Sequence, residues 1–352
     1  MPYCRKCGAK LEETARFCHV CGTPVAPAAA TRPAAPRRRR PAYLLPVIIL
    51  ISVILVAGVI SALIFLPINP VHFNQTSQLP KADVDSLLVD FQADVANVNI
   101  IFENLPSSMV VLNVTAEGSV GVLDDPDHVV TVTFNHETAN NSAEVVSSVL
   151  RTSRWSMFYN LNVNCDVYID PSANLSLNFR SEVGKIEMVT EAKITLQNLD
   201  LETTTGGVDV SLSKGVVVAG SISLRSSTGA VQFRIDDVDV PSNVSVNLQS
   251  TTGFVDVDLA ATHKFSGNVT MNAHTSTGAV NLFMVIDNDV GGRIESATAT
   301  GRITVDVKRF SGNQSPLQSN NYPAPSNFLV NLHTDTGGIN INADYGSNTI
   351  LS

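Results

Sequence analysis

Four cysteines near the N-terminus have the side chains and the spacing to hold a metal ion. Cys4 and Cys7 stand three positions apart with Gly8 behind them, and Cys18, Cys21 and Gly22 repeat the arrangement after a ten-residue spacer. Two cysteines so placed close a knuckle around one ion. A glycine after the second thiolate lets the turn bend so that backbone N–H groups point at sulfur. Two knuckles give four thiolates, the set that tetrahedral zinc takes. A segment this short has almost no core, so metal binding would supply most of its folding energy. Rubredoxin-like iron uses the same ligands, while paired disulfides or a redox C-x-x-C fit a doubled motif with matched glycines less well. His19 lies inside the second knuckle, but four cysteines already fill the shell. The expected metal site is therefore Cys4, Cys7, Cys18 and Cys21, with Zn2+ in a structural role.

The rest of the chain offers weaker chemistry. His128, His136, His263, His274 and His333 are scattered, with no HExxH and no i, i+4 pair. His274 and His333 each precede a Thr-Gly turn, where stacked neighbours could approach one another, although a solvated turn histidine is the plainer reading. Asp209, Asp256, Asp258 and Asp306 fall on outward strand positions. They would either keep an exposed sheet soluble or line a carboxylate face for calcium or polysaccharide. Asp124, Asp125 and Asp127 form a turn-like acidic cluster around Pro126, a calcium candidate. Cys165 is the one cysteine outside the N-terminal set, and burial is expected for it. No catalytic set and no cofactor-binding residues are expected, and the chain is not read as an enzyme.

The motif C-x2-C-G…F-C-x2-C-G, which includes Phe17, resembles the short zinc-ribbon family found at the N-termini of many prokaryotic membrane proteins. The resemblance covers residues 1–25. It implies an interaction or regulatory role for this module rather than catalysis.

These groups must be positioned by the segments that follow. Residues 1–40 hold nine Lys and Arg against Glu12 and Glu13 alone, whereas the whole chain has 23 basic and 32 acidic residues. Residues 26–42 are a Pro/Ala-rich linker that ends in Arg37 to Arg40, the composition of an extended tether. Tyr43–Leu66 carries no charge in 24 residues. At 1.5 Å per residue that is about 36 Å of helix, against roughly 30 Å of hydrocarbon. The expectation is a transmembrane helix over 43–66, used as an uncleaved signal anchor rather than a cleaved signal peptide. Basic residues cluster on its N-terminal side, so the N-terminus is expected in the cytoplasm and residues 67–352 outside it. Arg37 to Arg40 would then act as a topology signal that touches membrane lipid, with nucleic acid not expected as a partner. Seven N-x-S/T sequons lie downstream, which a region so rich in Asn, Ser and Thr would produce by chance.

The longest pattern is a repeat. Gly184, Gly206, Gly229, Gly253, Gly278, Gly301 and Gly337 lie 22, 23, 24, 25, 23 and 36 residues apart. The last six follow a Thr/Ser-rich stretch and precede alternating apolar residues, such as Val255, Val257 and Leu259 after Gly253, while Gly184, behind Glu182 and Val183, belongs to an earlier, degenerate copy. The two-residue period marks strands with one buried face. A unit of ~23 residues cannot bury its own face, so successive units must stack. A sandwich or a propeller is the alternative, but neither repeats one turn motif at this interval. The units resemble the adhesin-like family often called DUF4097, whose members look like β-helical surface domains. That resemblance covers about residues 180–345.

The expected fold is mainly β: a parallel β-helix or β-solenoid ectodomain with one transmembrane α-helix and a small Cys4 zinc ribbon. A juxtamembrane linker would occupy 67–84, an N-terminal cap of degenerate repeats 85–180, and the solenoid repeats 181–352. Within the cap, a helix is expected near Ser142–Arg151. The function expected is that of a membrane-anchored surface protein. Its β domain would bind or scaffold a surface protein or glycan, and its ribbon would meet a cytoplasmic protein partner. The alternatives are a single-pass sensor that couples the outer domain to a ribbon-bound partner, and an enzyme acting on surface glycans.

Overall fold

The computed structural model describes residues 2–25, 44–65, 69–121, 124–152, 160–287 and 289–346. The linker expected at 26–42, with Arg37 to Arg40, lies outside them. The chain forms two units, residues 1–59 and 60–352.

The first unit contains the cysteine knuckles and most of an α-helix, Leu44–Phe65. Pro46 sits in its first turn, where a missing N–H costs nothing. Among the described residues, no helix is long and apolar enough to cross a membrane. This corrects the transmembrane reading of 43–66. With it go the single-pass location and the cytoplasmic and extracytoplasmic assignments.

The second unit is built from two large sheets, one of eleven strands and one of twelve, and neither closes into a barrel. Each repeat gives one strand to each sheet and turns between them at its Thr-Gly. In the twelve-stranded sheet Asn174–Val183, Thr195–Thr205, Val217–Thr228, Val244–Thr252 and Asn268–Thr277 lie side by side in parallel. Their partners Ile186–Thr190, Val208–Leu212, Val231–Asp236, Val255–Ala261 and Val280–Ile286 follow the same order in the other sheet. Inward side chains meet in rows: Leu201, Leu224, Leu248 and Ala273 on one side face Val210, Phe233, Val257 and Leu282 on the other. All of these are buried.

At both ends the spatial order departs from the sequence order. Ser326–Thr336 and Ile339–Tyr345 lie directly against the Asn268–Ile286 repeat. Val290–Thr300 and Ile303–Lys308 lie beyond them, so the last repeat is inserted between its two predecessors. At the other end Ser86–Val95 sits between Ser142–Arg151 and Asn174–Val183. Antiparallel strands complete that end, with Ser108–Val120 between Asn69–Pro80 and Asn160–Ile169. Val130–Ala139 pairs antiparallel with Ser142–Arg151.

These features correct the expected parallel β-helix or β-solenoid: the fold is two large mixed sheets. The repeat pattern predicts pairing between neighbours in sequence, and it cannot report an insertion or an antiparallel cap. Ser142–Arg151 is a strand rather than a helix. Ala143, Val145, Ser147 and Val149 alternate inward, the two-residue period of a half-buried strand. A two-residue turn at Asn140 and Asn141, with φ of 51° and 60°, returns the chain onto Val130–Ala139. That is the left-handed conformation asparagine tolerates best among residues with a Cβ.

Candidate metal centre and the outward sheet faces

The four cysteines converge. The Sγ atoms of Cys4 and Cys21 lie 3.5 Å apart and those of Cys7 and Cys18 lie 3.6 Å apart. All four fall within 4.8 Å of one another. Zn–S bonds of about 2.3 Å in a tetrahedron would set sulfurs ~3.8 Å apart, so the spacing fits the ion. The two knuckles are built alike. Gly8 N–H donates to the Cys4 carbonyl at 2.9 Å, and Gly22 N–H to that of Cys18 at 2.8 Å. Both glycines hold positive φ, +74° and +68°, where a Cβ would be strained. Beneath the sulfurs the buried core is Cys4, Leu11 and Cys18. His19 is exposed and outside the set.

Crowded thiols compete for protons. The Thr23 hydroxyl and N–H hold the Cys21 thiol down to about 6. Cys7 is pushed up to about 12: the Ala9 N–H favours its ionised form, but Cys21, burial and Cys18 outweigh it. A bound cation removes this conflict, because coordination deprotonates every thiol in the shell.

The four outward aspartates read from sequence do come together. Asp209, Asp256, Asp258 and Asp306 line one depression of about 760 Å³ on the eleven-stranded sheet. It consists of two adjacent rows. One runs Asp209, Gln232, Asp256, Asn281, Asn340 and Thr304; the other runs Ser211, Arg234, Asp258, Phe283, Asn342 and Asp306. Three of the acids are already partnered. Lys185 Nζ reaches Asp209 at 2.9 Å, Arg234 reaches Asp258 at 3.1 Å, and Asn281 donates to Asp256 at 2.6 Å. Among the described residues these aspartates do not form a cation-binding cluster.

Asp125 is spent on local structure, accepting from Asp127 N–H at 3.0 Å and facing His128 Nδ1 at 2.8 Å. Its carboxyl is held below the usual range, first by that N–H. Cys165 is fully buried, and desolvation pushes its thiol up to about 12.

The twelve-stranded sheet brings two of the scattered histidines together. His274 and His333 face each other across neighbouring strands, with ring centroids 5.1 Å apart and planes inclined by 21°. Asp335 lies beside both. A signal for this was present: Asn268, Asn272, His274 and Asn281 recur 59 positions later as Asn327, Asn331, His333 and Asn340. Asn331 donates to Asn272 at 2.9 Å, Asn327 to Asn268 at 3.0 Å and Asn340 to Asn281 at 2.7 Å. Matching outward residues mark the repeats that touch.

Residues 3–25 match the family model of a zinc-ribbon domain. No curated protein matches the chain. Three solved structures are similar in outline. A candidate cell-adhesion protein from Clostridium sporogenes ATCC 15579 is 11% identical, with 77% of this chain and 99% of that one covered and a TM-score of 0.35. A candidate adhesin from Bacteroides fragilis NCTC 9343 is also 11% identical, covering 77% and 96% with a TM-score of 0.29. Another from Parabacteroides merdae ATCC 43184 is 10% identical, covering 76% and 95% with a TM-score of 0.18. Scores of this size carry no functional argument. The chain therefore combines a zinc-ribbon domain, its four cysteines positioned to bind a metal ion, with a large β-rich domain.

Proposed function

We propose that the chain is a two-module binding or scaffolding protein. Residues 1–25 form a ribbon held by structural Zn2+ on Cys4, Cys7, Cys18 and Cys21, and residues 26–42 are its tether. A cap over 85–180 and repeats from 181 onward form the ligand-binding domain. The observation that carries this reading is the depression on the eleven-stranded sheet. Phe283 lies there between Asp258 and Asn342 in one row, with Asn281 and Asn340 in the next. A half-buried ring bordered by amides and carboxylates suits a sugar, whose C–H face packs on the ring while its hydroxyls meet the planar polar groups. An extended glycan matches a site that crosses several strands and stays open to solvent.

Two features support the ribbon as an interaction module. Tyr3, Phe17 and Val20 are 62%, 64% and 64% exposed, a high apolar exposure for so small a fold. Its own core is nearly absent, so those side chains are free to meet a protein partner.

The test is binding of the full chain to immobilised polysaccharides of varied composition. Phe283→Ala should weaken capture at least about tenfold, the loss of one ring contact. Asn247→Ala on the other sheet should leave it unchanged. Failure to bind any polysaccharide, or equal capture by Phe283→Ala, would sink the glycan reading. For the ribbon, partner capture should vanish in Cys4→Ser/Cys7→Ser.

A further inference from the structure

We propose that His274, His333 and Asp335 form a second metal site, for a first-row divalent ion such as Ni2+, Co2+, Cu2+ or Zn2+. The site is independent of both the ribbon and the depression just described. Three donors converge: His333 Nε2 lies 3.0 Å from Asp335 Oδ1, and His274 Nε2 lies 3.7 Å from Asp335 Oδ2. All three ligand atoms fall within 4.8 Å of one another. Metal–nitrogen and metal–oxygen bonds of about 2.0–2.2 Å place tetrahedral ligands ~3.3–3.5 Å apart, so small side-chain shifts complete the set. Two imidazoles and one carboxylate suit borderline ions and suit the harder Ca2+ and Mg2+ poorly.

The site exists because of the inserted repeat. Stacked in sequence order, the Asn268–Ile286 repeat would neighbour Val290–Lys308, and His274 would face Ala297. Insertion of Ser326–Tyr345 gives His274 the neighbour His333 and moves Ala297 to its far side. Parallel strands in register then hold both rings about one strand spacing apart, roughly 4.8 Å. Ala297 is a single methyl on the outer flank, so the approach to the donors is open. With three protein ligands, a fourth position is left for water or an outside donor. A bound ion would tie together two repeats that are not consecutive in the chain.

The experiment uses the full chain with its ribbon already loaded with zinc. Ni2+ is titrated at neutral pH by calorimetry, with Co2+ visible absorption as a second readout of nitrogen and oxygen ligation. One equivalent of Ni2+ beyond the ribbon's metal should bind, and it should raise the thermal midpoint of the β domain. That equivalent should be lost in His274→Ala and in His333→Ala, and weakened in Asp335→Asn. It should persist in Cys4→Ser/Cys7→Ser and in His263→Ala. His333→Asn, which resembles the neighbouring asparagine rows, guards against a folding defect, and its circular dichroism should match the parent. Absence of the extra equivalent in the parent, or its survival in His274→Ala/His333→Ala, overturns the proposal.

Discussion

Asn331 donates its side-chain amide to Asn272 at 2.9 Å, although Glu295 is nearer to Asn272 in sequence and carries the equivalent position of the intervening repeat. The bond reports which repeats touch. Cysteines at directly paired parallel positions have Cα atoms within disulfide range, about 4.4–6.8 Å. Under mild oxidation Asn272→Cys/Asn331→Cys should cross-link intramolecularly. Asn272→Cys/Glu295→Cys, two strand spacings apart, should stay reduced. Non-reducing electrophoresis after proteolysis distinguishes them, and the opposite pattern would restore sequential stacking.

The Thr-Gly turns stack too closely for any side chain. A Cβ on Gly253, which holds φ of +148°, would stand 2.1 Å from the Gly229 carbonyl oxygen. Gly253→Ala should therefore cost at least about 3 kcal/mol, from backbone strain together with overpacking. Ser250, buried three residues earlier, donates to that same carbonyl at 2.9 Å. Ser250→Ala should cost less, about 1–2 kcal/mol. Urea midpoints of the two variants should fall in that order, and a mild Gly253→Ala would contradict the stacked geometry.

Asp170 is buried to 1% exposure and receives Lys81 Nζ at 2.6 Å, the Leu105 N–H at 2.9 Å and the Ser172 hydroxyl. Burial disfavours its charge, but those donors outweigh burial and hold the carboxyl below the usual range. The folded value thus lies under the unfolded value. Its stabilisation is complete above about pH 4 and is lost as pH falls through the folded value. Asp170→Asn should lose about 2–3 kcal/mol at neutral pH. The gap between variant and parent should close in acid. A constant gap between pH 7 and pH 3 would argue against this carboxylate as the source.

Removal of metal should separate the two modules. The ribbon core is Cys4, Leu11 and Cys18, too small to hold a fold without an ion. A strong chelator should abolish amide dispersion and protease resistance in residues 2–25 while leaving the far-ultraviolet signal of the sheets intact. Parallel loss of both signals would show that the sheets depend on the ribbon's metal.

The ribbon was legible in sequence because ligand spacing and glycine placement are local. So were the strand faces and turns, since Val255, Val257 and Leu259 announce their own period. Connectivity was not, for a reason of the same kind. Repeats such as Val290–Lys308 and Ser326–Tyr345 are so alike that either could neighbour Asn268–Ile286, and the outward Asn and His residues at the 59-residue spacing distinguish them. The helix expected at Ser142–Arg151 failed because its adjacent Val145 and Val146 hide a two-residue alternation. The aspartate depression could be anticipated from the outward register, whereas the His274–His333 contact required the inserted order.

That inserted order also bears on how the molecule assembles. Repeats from Asn174 to Ile286 pair with partners some 23 residues away, so they can add one after another with little loop-closure entropy. The strand Val290–Thr300 has no such neighbour waiting, because its inner partner, Ser326–Thr336, emerges later. At the opposite end Ser86–Val95 is flanked by two strands that both follow it in the chain. Assembly is then expected to start in the middle and finish at the ends, with each terminal strand held in reserve until its mate arrives.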